Sequence, residues 1–198
     1  LDHMEKGESM LVTGASYEFH VAQYYGLRAR SIMGGFHDVA RRFHELIQVA
    51  RHQGDRLMEA NLQIVLGSLL RLREGEPGEA LAELDEAIAL LPVDGFFIPH
   101  VDHLIQRGNV LLYQARAKDC QALLTARRRG LKRSFLLNVQ GIRISVSDLE
   151  ARCDLALLAG GDRAAAGRAK SAIKSLQGEG SDYATAFANA GSLEGKTV

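Results

Sequence analysis

Between Pro77 and Pro92 the apolar residues Ala80, Leu81, Leu84, Ala87, Ile88 and Leu91 follow one another at steps of one, three, three, one and three, with Glu79, Glu83 and Glu86 outside the stripe. That spacing lines one face of a 3.6-residue helix and predicts an amphipathic helix stopped by Pro92. A similar period runs upstream through Ile64, Leu66, Leu69 and Leu70, in a helix that Asp55 can cap and that reaches about Glu74. Gly75-Glu76-Pro77-Gly78 then turns the chain, with proline suited to the first helical position.

Helical stretches and breakers alternate along the rest of the chain. Helices are expected over about 16–32 and 36–53, parted by Gly34-Gly35, and over about 97–116 and 117–133, where Ala117-Lys118 is a weak break and Gly130 a candidate left-handed cap. Two more are expected at about 136–159 and 164–176, parted by Gly160-Gly161 with Asp162 as cap, and a short closing helix at 182–190. Gly191 to Val198 is expected to fray. The pattern is four helical hairpins, 16–53, 55–92, 97–133 and 136–177, in one repeat domain spanning 1–198.

One small residue recurs mid-way along the first helix of each hairpin. Gly26, Gly67 and Gly108 lie 41 residues apart and Cys153 follows 45 further on, as 67 − 26, 108 − 67 and 153 − 108 show. A fixed period of this kind is the mark of stacked helical hairpins, an all-α repeat architecture. Each small residue is expected where the two helices of a hairpin approach most closely, so that a Gly67→Leu change would overpack the crossing at a cost of roughly 1–3 kcal/mol.

Composition narrows the function classes. The chain has 198 residues, 24 Lys plus Arg against 24 Asp plus Glu, and no net charge, so no global field draws it to nucleic acid or an anionic membrane. Leu1 to Met10 has the charges Asp2, Glu5, Lys6 and Glu8 and no apolar run long enough to cross a membrane occurs, so a cytoplasmic location is the expectation. Cys120 and Cys153 lack zinc-site spacing and are expected to be reduced and buried. A start at Leu1 and a shortened last repeat suggest a piece of a longer protein.

Leu66-Gly67, Leu70, Ala80, Leu84, Ala87 and Pro92 stand at the leucine-glycine, tyrosine, alanine, phenylalanine, second small and closing-proline places of a known pattern, with Gln63 where it has tryptophan. Hairpin two thereby resembles the tetratricopeptide repeat, although these repeats exceed its length of about 34 residues. Hairpin three keeps Gly108 with Leu104 and Leu111, hairpin one Gly26 with Ala22 and Ala29, and hairpin four Cys153 with Leu149 and Ala156. Lengthened repeats of this kind look like those at the regulatory ends of large bacterial serine/threonine kinases and signalling ATPases. Ser134-Phe135-Leu136-Leu137-Asn138-Val139-Gln140, leading to Leu149-Glu150-Ala151-Arg152, is similar to the C-terminal segment of such kinases over about 127–158.

The resemblance implies a right-handed superhelix whose first helices line a concave, partner-binding face. Its groove positions fall on His20, Gln23 and Arg30; on Asn61, Ser68 and Arg71; on Asp102, Asn109 and Tyr113; and on Glu150 and Asp154. Amides, arginines and a tyrosine suit an extended peptide, and joint Asn61→Ala and Arg71→Ala substitution is expected to abolish capture without altering the melting point. Arg127, Arg128, Arg129, Lys132 and Arg133, followed by Arg143, form a candidate anion patch. The simpler reading places them at a helix C-terminus facing Glu79, Glu83, Asp85 and Glu86.

Catalytic chemistry finds no support in the motifs. No glycine-rich phosphate loop, kinase lysine or catalytic-loop aspartate occurs. His100 and His103 share a helical face without a third ligand, His37 and His44 flank Arg41, and no metal or cofactor is expected. Nucleic acid is disfavoured as well, since only Phe135 adjoins the basic cluster. The expected function is a non-catalytic scaffold for a protein or peptide, the regulatory region of a larger signalling protein, with oligomeric state unread. A small-molecule sensor is the alternative and an enzyme the remote third.

Overall fold

A computed structural model describes the backbone of residues 16–92 and 94–197 and the side chains of residues 21–92 and 94–192. The described residues are all-helical and contain no strand. The chain divides into two compact units, Leu1–Val93 and Asp94–Val198.

In the first unit α1 (Ser16–Ile32), α2 (Phe36–Gln53), α3 and α4 (Pro77–Ala89) follow one another, α3 being Arg56–Leu62, a π turn at Gln63–Gly67 and Ser68–Glu74 in one continuous rod. Asp55 accepts a hydrogen bond from the Met58 amide at 3.0 Å and so caps α3. Gly54 and Gly75 take φ of 68° and 79°, the left-handed conformation that ends α2 and α3. Ala80, Leu84, Ala87 and Leu91 are buried, as the stripe predicts. Each helix packs on the next, and α1 also meets the π turn of α3. A π turn holds an extra residue and re-phases the faces before and after it; here all five of its residues are buried.

The second unit contains α5 (Ile98–Tyr113), α6 (Ala117–Arg133), a 3-10 turn at Leu136–Asn138, α7 (Gln140–Ala159), α8 (Ala165–Gln177) and α9 (Asp182–Thr197). The central helix is α7, which packs on α5, α6, α8 and α9. Its burial is correspondingly broad, from Ile144 through Leu149, Cys153 and Leu157.

Two of the recurring small residues do a different job from the one expected. A Cβ on Gly108 would lie 2.6 and 2.8 Å from the two methyl carbons of Leu149, on the first helix of the next hairpin. Cys153 likewise looks to the preceding hairpin, its thiol donating to the Ala117 carbonyl at 3.4 Å. At these two positions space is therefore set by hairpin packing on hairpin rather than by closure within each. Gly67 is closer to the expectation, since a Cβ there would meet Glu83 Oε2 of α4 at 2.9 Å, with Phe43 of α2 behind it at 3.5 Å. Gly26 is buried in α1.

Several boundaries also shift, each for a backbone reason. Helix α5 stops at Tyr113 because Ala115 takes a left-handed φ of 58°. Gly130 does not cap α6, which runs on to Arg133; the glycine instead admits the Phe96 ring, 3.0 Å from where its Cβ would be. Phe135 takes the left-handed φ of 59°, and α7 starts at Gln140 rather than at about Leu136. Gly191 is buried under Ile173 and Leu155, so α9 continues past the expected fraying point, while Val198 lies outside the described residues.

Ala115 offers a direct check on this geometry. A left-handed conformation costs a non-glycine residue about 1–2 kcal/mol, of which glycine's extra unfolded-state entropy returns about 0.5–1 kcal/mol. Ala115→Gly is expected to raise the urea midpoint by the equivalent of up to about 1 kcal/mol. A lower midpoint would mean that this turn is closed by other means.

Candidate functional site

The residues expected to form one binding face are distributed over several environments. His20 lies in α1, but its side chain is outside the described residues. Gln23 is half-buried with its carbonyl oxygen shielded and unpartnered, Arg30 is largely covered and lies 3.7 Å from Asp38, and Asn61 is half-buried. Ser68 has 0% exposure and donates to the Ile64 carbonyl at 2.6 Å, which closes it to any partner.

Arg71 is engaged within its own unit. Its Nε lies 2.8 Å from Glu83, and its Nη1 lies 3.0 Å from Glu76 and 3.4 Å from Glu74. These contacts draw its guanidinium pKa further up, the Glu83 hydrogen bond first. In the expected Asn61→Ala and Arg71→Ala test, removing Arg71 also releases Glu83, the side chain beside Gly67, from its ion pair.

In the second unit Asp102 is buried and Tyr113 exposed, while Asn109 reaches across to α7. Its Oδ1 accepts from Arg152 Nη2 at 2.8 Å, and Arg152 Nε lies 2.9 Å from Asp148. Burial pushes the Asp148 carboxyl up against the opposing pull of Arg152. Neither the Asp148–Arg152 pair nor its contact with Asn109 was read from the sequence.

Glu150 and Asp154 occupy a cleft of about 350 Å³ between α6 and α8, with α7 as its floor. Gln121, Thr125 and Arg128 line it from α6, and Arg168, Ser171 and Ser175 from α8. Small side chains on α8 and at Ser147 leave the space open. Arg168 Nε donates to Asp154 at 2.8 Å, but Ser147, buried and lining the cleft, has no hydrogen-bond partner among the described residues. Glu150 likewise makes no hydrogen bond or ion pair among them, and burial pushes its carboxyl up while Arg128 and Lys132 pull it down.

The pH consequence follows from that direction. A carboxyl whose folded pKa exceeds its unfolded value weakens the fold when ionised, and the penalty fades as pH falls through the folded value. Glu150→Gln is expected to melt higher than wild type at neutral pH, with the gap closing as the pH enters the ordinary glutamate range. An equal gap at every pH, read by thermal melting, would remove the burial argument.

Above this cleft stands the C-terminal part of α6. Arg127, Arg128, Arg129, Lys132 and Arg133 are all exposed and form no ion pair among the described residues. Lys132 and Arg133 do sit in the last helical turn, where the macrodipole favours cations. Of the acidic residues expected to face them, Glu83 is held by Arg71 within the first unit. Beyond Arg133 the chain is fastened: Arg143 donates to the Leu137 carbonyl at 2.9 Å and pairs with both Glu179 oxygens at 2.5 and 2.6 Å. That pairing holds the Glu179 carboxyl below the usual range.

The titratable groups outside these surfaces have structural roles. Cys120 and Cys153 are free, buried and side by side in one cluster with Leu149 and Leu157, and the shared hydrogen bond and burial keep the Cys153 thiol protonated. His100 Nδ1 accepts from the Phe97 amide at 3.2 Å, at the start of α5, and His37 and His44 are exposed. Among the described residues no three His, Cys, Asp or Glu side chains are grouped to hold a metal, and no helix is long and apolar enough to cross a membrane.

The fold and these surfaces define an all-helical protein of paired helices with a polar cleft and a cationic helix end. No family model, curated protein or solved structure matches the chain.

Proposed function

We propose that this chain is a non-catalytic binding module, a tetratricopeptide-like stack of helical hairpins that recognises a protein or peptide. The observation that carries the reading is the cleft over α7, where the Ser147 hydroxyl and the Glu150 carboxylate have no partner among the described residues while their surroundings are packed. An open cleft that offers a hydroxyl and a carboxylate suits a ligand carrying donors, such as peptide amides. The packing of α7 on both α5 and α9 supports the stacked-hairpin part of the reading. A right-handed superhelix and a place as the regulatory region of a bacterial kinase-like signalling protein rest on the resemblance of hairpin two and of residues 127–158.

Selection from a displayed-peptide library on the immobilised protein tests this reading. Enriched peptides are expected to bind wild type and to weaken by at least about tenfold against Ser171→Leu, an exposed position whose larger side chain fills the cleft. Absence of any enriched sequence would contradict it. The sensor reading draws on the cleft volume, which falls in the range of about 300–1,000 Å³ that small molecules occupy. A metabolite that raises the melting temperature with its concentration, where no peptide does, would favour that second reading.

A further inference from the structure

We infer that the C-terminal half of α6 and the loop that follows it form a docking surface for an acidic protein segment carrying an apolar side chain. This rests on the reading of the chain as a binding module and names the chemistry of its partner. Two independent observations meet at this surface.

The first is charge without compensation. Arg51, Arg71, Arg116, Arg152 and Arg168 each close on a carboxylate at 2.7–2.9 Å. Arg127, Arg128, Arg129, Lys132 and Arg133 do not, although they crowd into seven consecutive positions and are all exposed. Seven residues of helix span about 10 Å, close to one Debye length at physiological salt, so their fields add. Glu150, which Arg128 and Lys132 pull toward its charged form, is half-buried in the cleft and bonds to neither. An incoming row of carboxylates would supply the missing partners, with paired hydrogen bonds to the guanidinium groups.

The second observation is Phe135. It is 75% exposed and takes a left-handed φ of 59°, a conformation that a bulky side chain pays for. The loop is not slack. Ser134 Oγ donates to the Leu131 carbonyl at 2.8 Å and accepts from the Leu136 amide at 3.3 Å, and Gln140 and Arg143 tie the segment to Glu179. A strained, pinned backbone thus holds an aromatic ring in water beside the cationic helix end, with Val139 also exposed. Rigid presentation lowers the ordering cost of binding, and an exposed aromatic beside arginines is the composition of an interface anchor.

A protein segment fits this surface better than a nucleic acid strand. Strand binding relies on successive aromatic platforms for successive bases. Here α6 and the loop after it present a single ring, Phe135, and Phe96 is packed under Gly130.

The test uses the full chain and three fluorescent synthetic peptides in an anisotropy titration: a glutamate-rich peptide with leucines interspersed, the same peptide with leucine changed to alanine, and a lysine-rich counterpart. An oligo-dT strand and sedimentation of the protein alone complete the set. The leucine-containing acidic peptide is expected to bind, to weaken about tenfold on passing from about 50 to about 300 mM salt, and to lose about tenfold when leucine becomes alanine. Arg128→Glu with Arg129→Glu should abolish binding. Phe135→Gly should cost about tenfold in affinity while holding or raising the melting temperature, because glycine accepts the left-handed conformation.

Equal binding of the acidic and basic peptides, tighter binding of oligo-dT, or self-association abolished by the same charge reversal would overturn the proposal. So would affinity unchanged in both variants. If library-selected peptides lose affinity to Ser171→Leu but not to these variants, the binding-module reading stands and this docking surface falls. If no peptide of any kind binds, both fall.

Discussion

Gly108→Ala is expected to destabilise the protein even though alanine is the better helix former. The added Cβ would sit 2.6 Å from one Leu149 methyl, 2.8 Å from the other and 3.2 Å from Cγ. Leu149 has 0% exposure and is enclosed with Leu111, Cys120 and Cys153, so it has little room to retreat. The gain of about 1 kcal/mol in helix propensity therefore opposes an overpacking cost of about 1–3 kcal/mol, and the second should win. Gly108→Leu should cost more still.

Leu149→Ala alone should cost about 2–5 kcal/mol through lost burial and the cavity left behind. Placed in one chain, the two alanines should fit together, so the double variant is expected to lose less than the sum of the singles by about 1 kcal/mol or more. Strict additivity in urea denaturation would mean that the two sites do not touch. Gly67→Ala is the control within the same chain: its nearest neighbour is the end of the flexible Glu83 side chain, and the change should be nearly neutral.

The second large effect belongs to the first unit. Leu84 has 0% exposure at the centre of the α4 stripe, between Ala80 and Ala87. Leu84→Ala is expected to cost about 2–5 kcal/mol, whereas Leu81→Ala, at a half-buried position on the same helix, should cost clearly less. Hydrogen exchange would locate the loss, with faster exchange at the amides of α3 and α4. Similar costs at the two leucines would contradict the assigned face.

The α4 stripe shows which parts of the fold were legible. Period, the Asp55 cap and the Gly75 turn are local, and each has its physical cause in neighbouring residues. Features without such a local marker escaped. Nothing around Gln63 announces a π turn, and the left-handed residues Ala115 and Phe135 are not glycines, so the end of α5 was sought at Arg116, the cap of α6 at Gly130 and the start of α7 at Leu136.

The binding surfaces divide along the same line. Arg128, Glu150 and Asp154 could be named because charge stands out in a sequence, yet their convergence with Ser147 and Ser171 depends on three helices meeting. Small polar residues at such positions look like ordinary surface. Ser68 misled in the opposite sense, since a serine bonded to its own helix is indistinguishable in sequence from one offered to a partner. The uncompensated state of the α6 cations became visible only beside arginines such as Arg71, Arg116 and Arg168, which are paired.

Nuclear Overhauser contacts in a leucine-methyl-labelled sample test the hairpin-on-hairpin packing most directly. Cross-peaks are expected between the Gly108 α-protons and both Leu149 methyl groups. If those protons instead see only side chains of α6, the helix of their own hairpin, the packing that builds the second unit and its cleft is contradicted.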